Sequence, residues 1–105
     1  MRVLLADDEE TIAVTLRDAL EEAGYEVVSA GDTDTALAAL EAGGVDVVLT
    51  DIRMPGKGGM VVLARSVELD PNRPVVIMTG FASMDQAVEA VDIGASFYVQ
   101  KPFRN

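Results

Sequence analysis

Asp51 closes an almost unbroken apolar run, Val45 to Thr50, and is followed within a few residues by Pro55, Gly56, Gly58 and Gly59. A valine-rich run of this kind reads as a strand buried on both faces. The proline and glycines end it in a loop. A carboxylate at the C-terminal edge of such a strand stands where open α/β sheets bind their ligands. Four other residues have side chains suited to the same chemistry. Asp7 and Asp8 follow the short apolar run Arg2–Ala6. Thr79 follows Val75–Met78, and Lys101 stands two residues after Phe97–Val99. If all these runs are parallel strands, their C-terminal ends share one rim. Three carboxylates, a hydroxyl and an ammonium then converge there.

That gathering has a chemical reading. Carboxylates held close together resist full ionisation unless a cation relieves the repulsion. The chain has neither histidine nor cysteine, so any metal must be held by oxygen. Mg²⁺ suits such a donor set, because it takes few carboxylates and completes its shell with water and phosphate. A cation, a lysine and a hydroxyl around one carboxylate are what phosphoryl transfer requires, since positioning and charge neutralisation drive it. Asp51 is then the nucleophile that forms an acyl phosphate.

The elements that must position these groups are legible in order. Strand one is Arg2–Ala6. A helix over 11–23 puts Ile12, Ala13, Leu16, Ala19, Leu20 and Ala23 on one side, and Gly24 ends it. Glu9 and Glu10 are read as helix-start residues that complement the macrodipole. Tyr25–Ala30 is strand two, and Gly31-Asp32-Thr33 is a turn and cap. Helix two runs to about Ala42, with Ala36, Leu37 and Leu40 inward, before Gly43-Gly44. After the central strand, helix three spans about 60–69 and stops at Asp70-Pro71. Val75–Met78 is strand four. Ser83 caps a fourth helix in which Met84, Ala87, Val88 and Val91 line one side, ended by Gly94. Phe97–Val99 is strand five. Alternation with short connections predicts a parallel sheet covered by helices on both faces, in one domain over 1–105. No helix follows the fifth strand. We therefore expect the domain to stop short of its last helix and to leave part of one sheet face bare.

The bulk properties narrow the function. Half of the 105 residues are hydrophobic, only five are aromatic, and the net charge is −10. This balance predicts a globular domain with an aliphatic core that repels nucleic acid and anionic membranes. No apolar run is long enough to span a bilayer and no secretory leader is expected. A cytoplasmic location fits. Lys57 and Lys101 are the only lysines; Lys57 is read as solvent-facing.

Taken together, Asp7-Asp8, Asp51 with Met54-Pro55 and Gly59, Thr79-Gly80, and Lys101-Pro102-Phe103 resemble the receiver domain of two-component response regulators. The likeness covers essentially the whole chain, in order. It implies a flavodoxin-like, doubly wound sheet of five parallel strands in the order 2-1-3-4-5. It implies that Asp51 accepts a phosphoryl group from the phosphohistidine of a sensor histidine kinase or phosphotransfer protein. Asp7 and Asp8 then hold Mg²⁺ with Asp51, and the backbone carbonyl of Arg53 is the remaining protein ligand. Thr79 is the switch hydroxyl, Tyr98 the switch aromatic and Lys101 the partner of the phosphoryl group. The Lys101-Pro102 bond resembles one that is cis in the family. Such a domain is not an enzyme in the usual sense, since it catalyses only its own phosphorylation and dephosphorylation. Arg53 and Phe81, each two residues beyond a site residue, are expected to overhang the site and tune the acyl phosphate lifetime. Phe81 cannot position water by hydrogen bonding, so slow autodephosphorylation is expected. The run 78–88 is similar to receivers of enhancer-binding transcriptional activators, whose output module lies outside this chain. The bare sheet face predicts a homodimer or swapped assembly, and the kinase surface in the family involves helix one, near Ile12 and Leu16.

Three other readings compete. A haloacid-dehalogenase-type phosphatase needs a second acid two residues after the nucleophile, and Arg53 stands there. A flavodoxin-type flavin carrier needs a phosphate-binding loop after strand one, where Asp7-Asp8-Glu9-Glu10 would repel phosphate. A pseudo-receiver that only binds partners would not need the full acidic set with Thr79 and Lys101.

Overall fold

The computed structural model describes residues 1–80 and 84–100. Nine elements alternate along the chain: β1 (Arg2–Ala6), α1 (Glu10–Glu22), β2 (Glu26–Ala30), α2 (Thr33–Ala42), β3 (Val47–Asp51), α3 (Gly59–Leu69), β4 (Val75–Thr79), α4 (Met84–Ile93) and β5 (Phe97–Gln100). The five strands form one parallel sheet in the order β2-β1-β3-β4-β5. This is the flavodoxin-like arrangement expected from the resemblance. Periodicity yields the strands, and the right-handed crossover rule restricts how they can be ordered.

Register explains which side chains meet. Leu4 pairs with Val28 and Val48, and Val48 with Val75, so these residues share a face. With Ala6, Ala30 and Ile77 they form the main core beneath α2, α3 and α4. Leu4, Val48, Val75 and Ile77 are completely buried, as are Val62 and Leu63 of α3. Full burial of one such side chain is worth about 1.5–3 kcal/mol. The intervening residues Val3, Leu5, Leu49, Val76 and Met78 point to the opposite face, where α1 packs against β1 and β2.

That second face is covered unevenly. Val3, Leu5 and Met78 are buried, yet Phe97 on β5 is 67% exposed and Val99 is 36% exposed. Both lie on the same face as Val76 and Met78, their register partners.

Helix faces follow the expected periodicity with two corrections. Along α1, Ile12, Ala13, Leu16 and Leu20 are half-buried, while Ala19 and Ala23 are exposed. On α4, Val88 and Val91 are 51% and 60% exposed rather than inward. The buried residue there is Ala90, with Ala87 and Ile93 half-buried. α4 packs against α3 and β5, and its inward face runs through Ala87, Ala90 and Ile93, one residue round the helix from Val88 and Val91. At the start of α2, the Asp32 carboxylate accepts from the Thr35 amide at 2.7 Å. This cap holds the Asp32 pKa below the ordinary carboxylate range. The expected Ser83 cap of α4 lies outside the described residues.

Candidate functional site

Parallel strands bring their C-terminal ends to one rim. β1 ends at Ala6 and β3 at Asp51, and Ala6 is in register with Thr50. Asp7 and Asp8 therefore leave β1 beside the end of β3. Carboxylate oxygens of Asp7, Asp8 and Asp51 all lie within 4.8 Å of one another. Asp7 and Asp51 are each 4% exposed, and Asp8 is exposed. The Asp7 carboxylate accepts from the Glu9 amide at 2.9 Å, and that of Asp51 from the Arg53 amide at 3.3 Å. These bonds orient two of the three carboxylates. They leave a mixed site with two sheltered acids and one facing solvent.

Thr79 ends β4, is 1% exposed, and follows Met78, the register partner of Asp51. Asp8, Glu9, Asp51, Arg53, Thr79 and Gly80 line an open cleft of about 290 Å³, which has room for a phosphoryl group. Arg53 is exposed at its mouth. Tyr98 is set back from the rim in β5, in register with Ile77. Its ring packs on the main core, and its hydroxyl is buried without a hydrogen-bond partner among the described residues. Lys101 and Phe81 lie outside the described residues, as do Pro102 and Phe103.

The donor set fits a hard divalent cation. Three carboxylates at this spacing repel one another, all the donors are oxygen, and one side is open for water and phosphate oxygens. Thiolate- or imidazole-seeking metals have no matching ligand, since the sequence has neither cysteine nor histidine.

The loop that carries Arg53 folds back on the end of β3. The Gly59 amide donates to the Ile52 carbonyl at 2.8 Å. A Cβ on Gly59 would lie 1.8 Å from the Asp51 carbonyl oxygen, so only glycine admits this approach. Ile52 and Met54 are buried on either side of Arg53. Sequence reading did not single out Thr33 or Gly58 for this site. Thr33 is 1% exposed, and its hydroxyl sits between Pro55 and Gly58.

A family model described as the response regulator receiver domain matches residues 3–105. The chain belongs to that family. This receiver is 37% identical over 101 residues to the C4-dicarboxylate transport transcriptional regulatory protein DctD of Rhizobium meliloti, covering 96% of this chain and 22% of DctD. It is 40% identical over 101 residues to the DNA-binding transcriptional regulator NtrC of Salmonella typhimurium, with the same coverage. The chain thus spans about a fifth of the length of either regulator. Both are of the enhancer-binding type that the 78–88 run resembles. Among solved structures, a Burkholderia pseudomallei response regulator superposes with a TM-score of 0.91 at 34% identity, over 98% of this chain and 61% of that one. That protein was crystallised with a phosphorylated aspartic acid, a calcium ion and citrate. Among the described residues, no helix of this receiver is long and apolar enough to cross a membrane.

Proposed function

We propose that this receiver accepts a phosphoryl group on Asp51 from the phosphohistidine of a sensor histidine kinase or phosphotransfer protein. The observation that carries the reading is the convergence of the Asp7, Asp8 and Asp51 carboxylates within 4.8 Å beside a buried Thr79. An Asp51 carboxylate oxygen attacks phosphorus, the bond from phosphorus to the imidazole nitrogen breaks, and the imidazole leaves with that electron pair. The product on this chain is an acyl phosphate. Asp7, Asp8, Asp51 and the Arg53 carbonyl hold Mg²⁺, which when bound neutralises charge on the phosphoryl oxygens. Lys101 supplies a second positive charge. Thr79 donates its hydroxyl to the phosphoryl group, and Tyr98 answers the movement of Thr79 as the switch aromatic. The relative with a phosphorylated aspartic acid and a divalent ion supports this chemistry. The domain turns over no external substrate. It acts in the cytoplasm on an output module outside this chain, and binds neither nucleic acid nor membrane directly.

Incubation with acetyl phosphate and Mg²⁺ is expected to add one phosphoryl mass per chain, read by intact mass spectrometry, and a chelator abolishes the gain. No gain despite measurable Mg²⁺ binding would favour a partner-binding pseudo-receiver. With Arg53 at the cleft mouth and Phe81 in place of a hydrogen-bonding side chain, the phosphoryl group is expected to outlast removal of acetyl phosphate by minutes. Loss within seconds would refute that tuning.

The exposed strip of Phe97 and Val99 on β5 supports self-association of this chain through its β5 side, as a dimer or swapped assembly. Sedimentation should show a dimer that Phe97→Asp converts to monomer. A monomer at all concentrations would overturn it.

A further inference from the structure

We infer that Thr33 is a positioning residue for the metal site, acting through the loop between β3 and α3. The inference rests on the proposed Mg²⁺ role of Asp51 and the Arg53 carbonyl. Thr33 is the first residue of α2 and is 1% exposed. It lies far in sequence from the loop and reaches it with two groups. Its amide donates to the Pro55 carbonyl at 3.0 Å. Its hydroxyl accepts from the Gly58 amide at 2.8 Å and donates to the Pro55 carbonyl at 3.1 Å. One hydroxyl thus spans the loop and closes it as a clasp.

The loop's own backbone closure is the bond from the Gly59 amide to the Ile52 carbonyl at 2.8 Å, and Thr33 adds a tie from α2. Gly58 is the N-cap of α3, with φ +87, and provides no side-chain cap. The Gly58 amide is therefore satisfied by Thr33. Gly56 is at φ +98, and a Cβ there would meet Thr33 Cβ and Oγ1 at 3.0 Å, so the loop is moulded around this side chain. At its other end the loop is tied to Asp51 by the Arg53 amide. Between the two ties lie Ile52 and Met54, both buried. The Arg53 carbonyl is thus carried by a segment anchored to the nucleophile on one side and to Thr33 on the other. Without the hydroxyl, Thr33 holds the loop only by its amide bond to the Pro55 carbonyl, and the Gly58 amide loses its partner on α2.

Thr33→Val preserves the branched shape and removes the hydroxyl. Groups that orient metal ligands are typically worth about 10–100-fold in metal affinity, so Thr33→Val should weaken Mg²⁺ binding about tenfold, read by titration of amide chemical shifts. Thr33→Ser restores the hydroxyl and should restore the affinity. In the unaltered chain, Mg²⁺ should slow hydrogen exchange at the Gly58 amide. That measurement stands even if Thr33→Val folds poorly. Unchanged Mg²⁺ affinity in Thr33→Val, or a Gly58 amide indifferent to Mg²⁺, would overturn the clasp while leaving the metal site intact. No Mg²⁺ binding by the unaltered chain would overturn both the clasp and the metal reading beneath it.

Discussion

Asp51→Asn is expected to abolish phosphoryl incorporation from acetyl phosphate, from one group per chain to none detectable, while the fold survives. The amide matches the carboxylate in shape, so packing at this position, 4% exposed, is conserved. Its oxygen carries no full charge and cannot displace a leaving group from phosphorus. The substitution also reduces the three clustered carboxylates to two. That removes one anionic ligand and should weaken Mg²⁺ binding as well. Intact mass and a metal titration on the same sample separate the two effects. A phosphoryl gain persisting in Asp51→Asn would place the acceptor elsewhere and refute the site. Circular dichroism like that of the parent chain would show that the loss is chemical.

Gly59→Ala is expected to be the most damaging methyl addition among the glycine positions. Its Cβ would fall 1.8 Å from the Asp51 carbonyl oxygen, 2.7 Å from the Asp51 carbonyl carbon and 3.0 Å from Ile52 Cα. These are backbone atoms and cannot swing aside as a flexible side chain would. Either α3 retreats from the sheet or the end of β3 moves. Overpacking of this kind costs about 1–3 kcal/mol or more, and each kcal/mol lowers the Tm of a domain this size by about 4–8 °C. Phosphorylation should fall with stability, because the displaced carbonyl belongs to Asp51, the proposed phosphoacceptor. Gly31→Ala is the control, since nothing lies within 4 Å of its Cβ. Equal thermal melts for the two variants would show that the Gly59 contact relaxes freely.

Four of the five strands were legible as short apolar runs that stop at a charged or polar residue, and β2 as one that stops at Gly31. The rim followed from them, since parallel strands must end together. Asp7, Asp8, Asp51 and Thr79 meet there as expected. The strand order could not come from periodicity, which is local; it entered through the family resemblance. Thr33 was read as part of a turn and cap. Nothing in neighbouring residues announces a partner 25 positions away. Val88 and Val91 were placed inward because valine is apolar, but the packing of α4 on α3 and β5 turns the neighbouring face, Ala87, Ala90 and Ile93, to the core. Glu9 was read as a helix-start residue, and it also lines the cleft. Its amide, in helping to fix Asp7, contributes to the site through backbone geometry, which residue type does not reveal. Lys101 and Phe81 lie outside the described residues.

The pairing of Ala6 with Thr50, and of Asp51 with Met78, has a further consequence. Side chains alternate along a strand, so a slip of one residue turns every one of them to the other face. A slipped β3 would drive Val48 out of the core and put Thr50 where Asp51 belongs. Misalignment therefore cannot yield a slightly weaker domain. It yields one that has lost its proposed acceptor and its packing at the same instant. Folding proofreads the chemistry: a molecule that has buried its valines correctly has already brought its three acids to the rim.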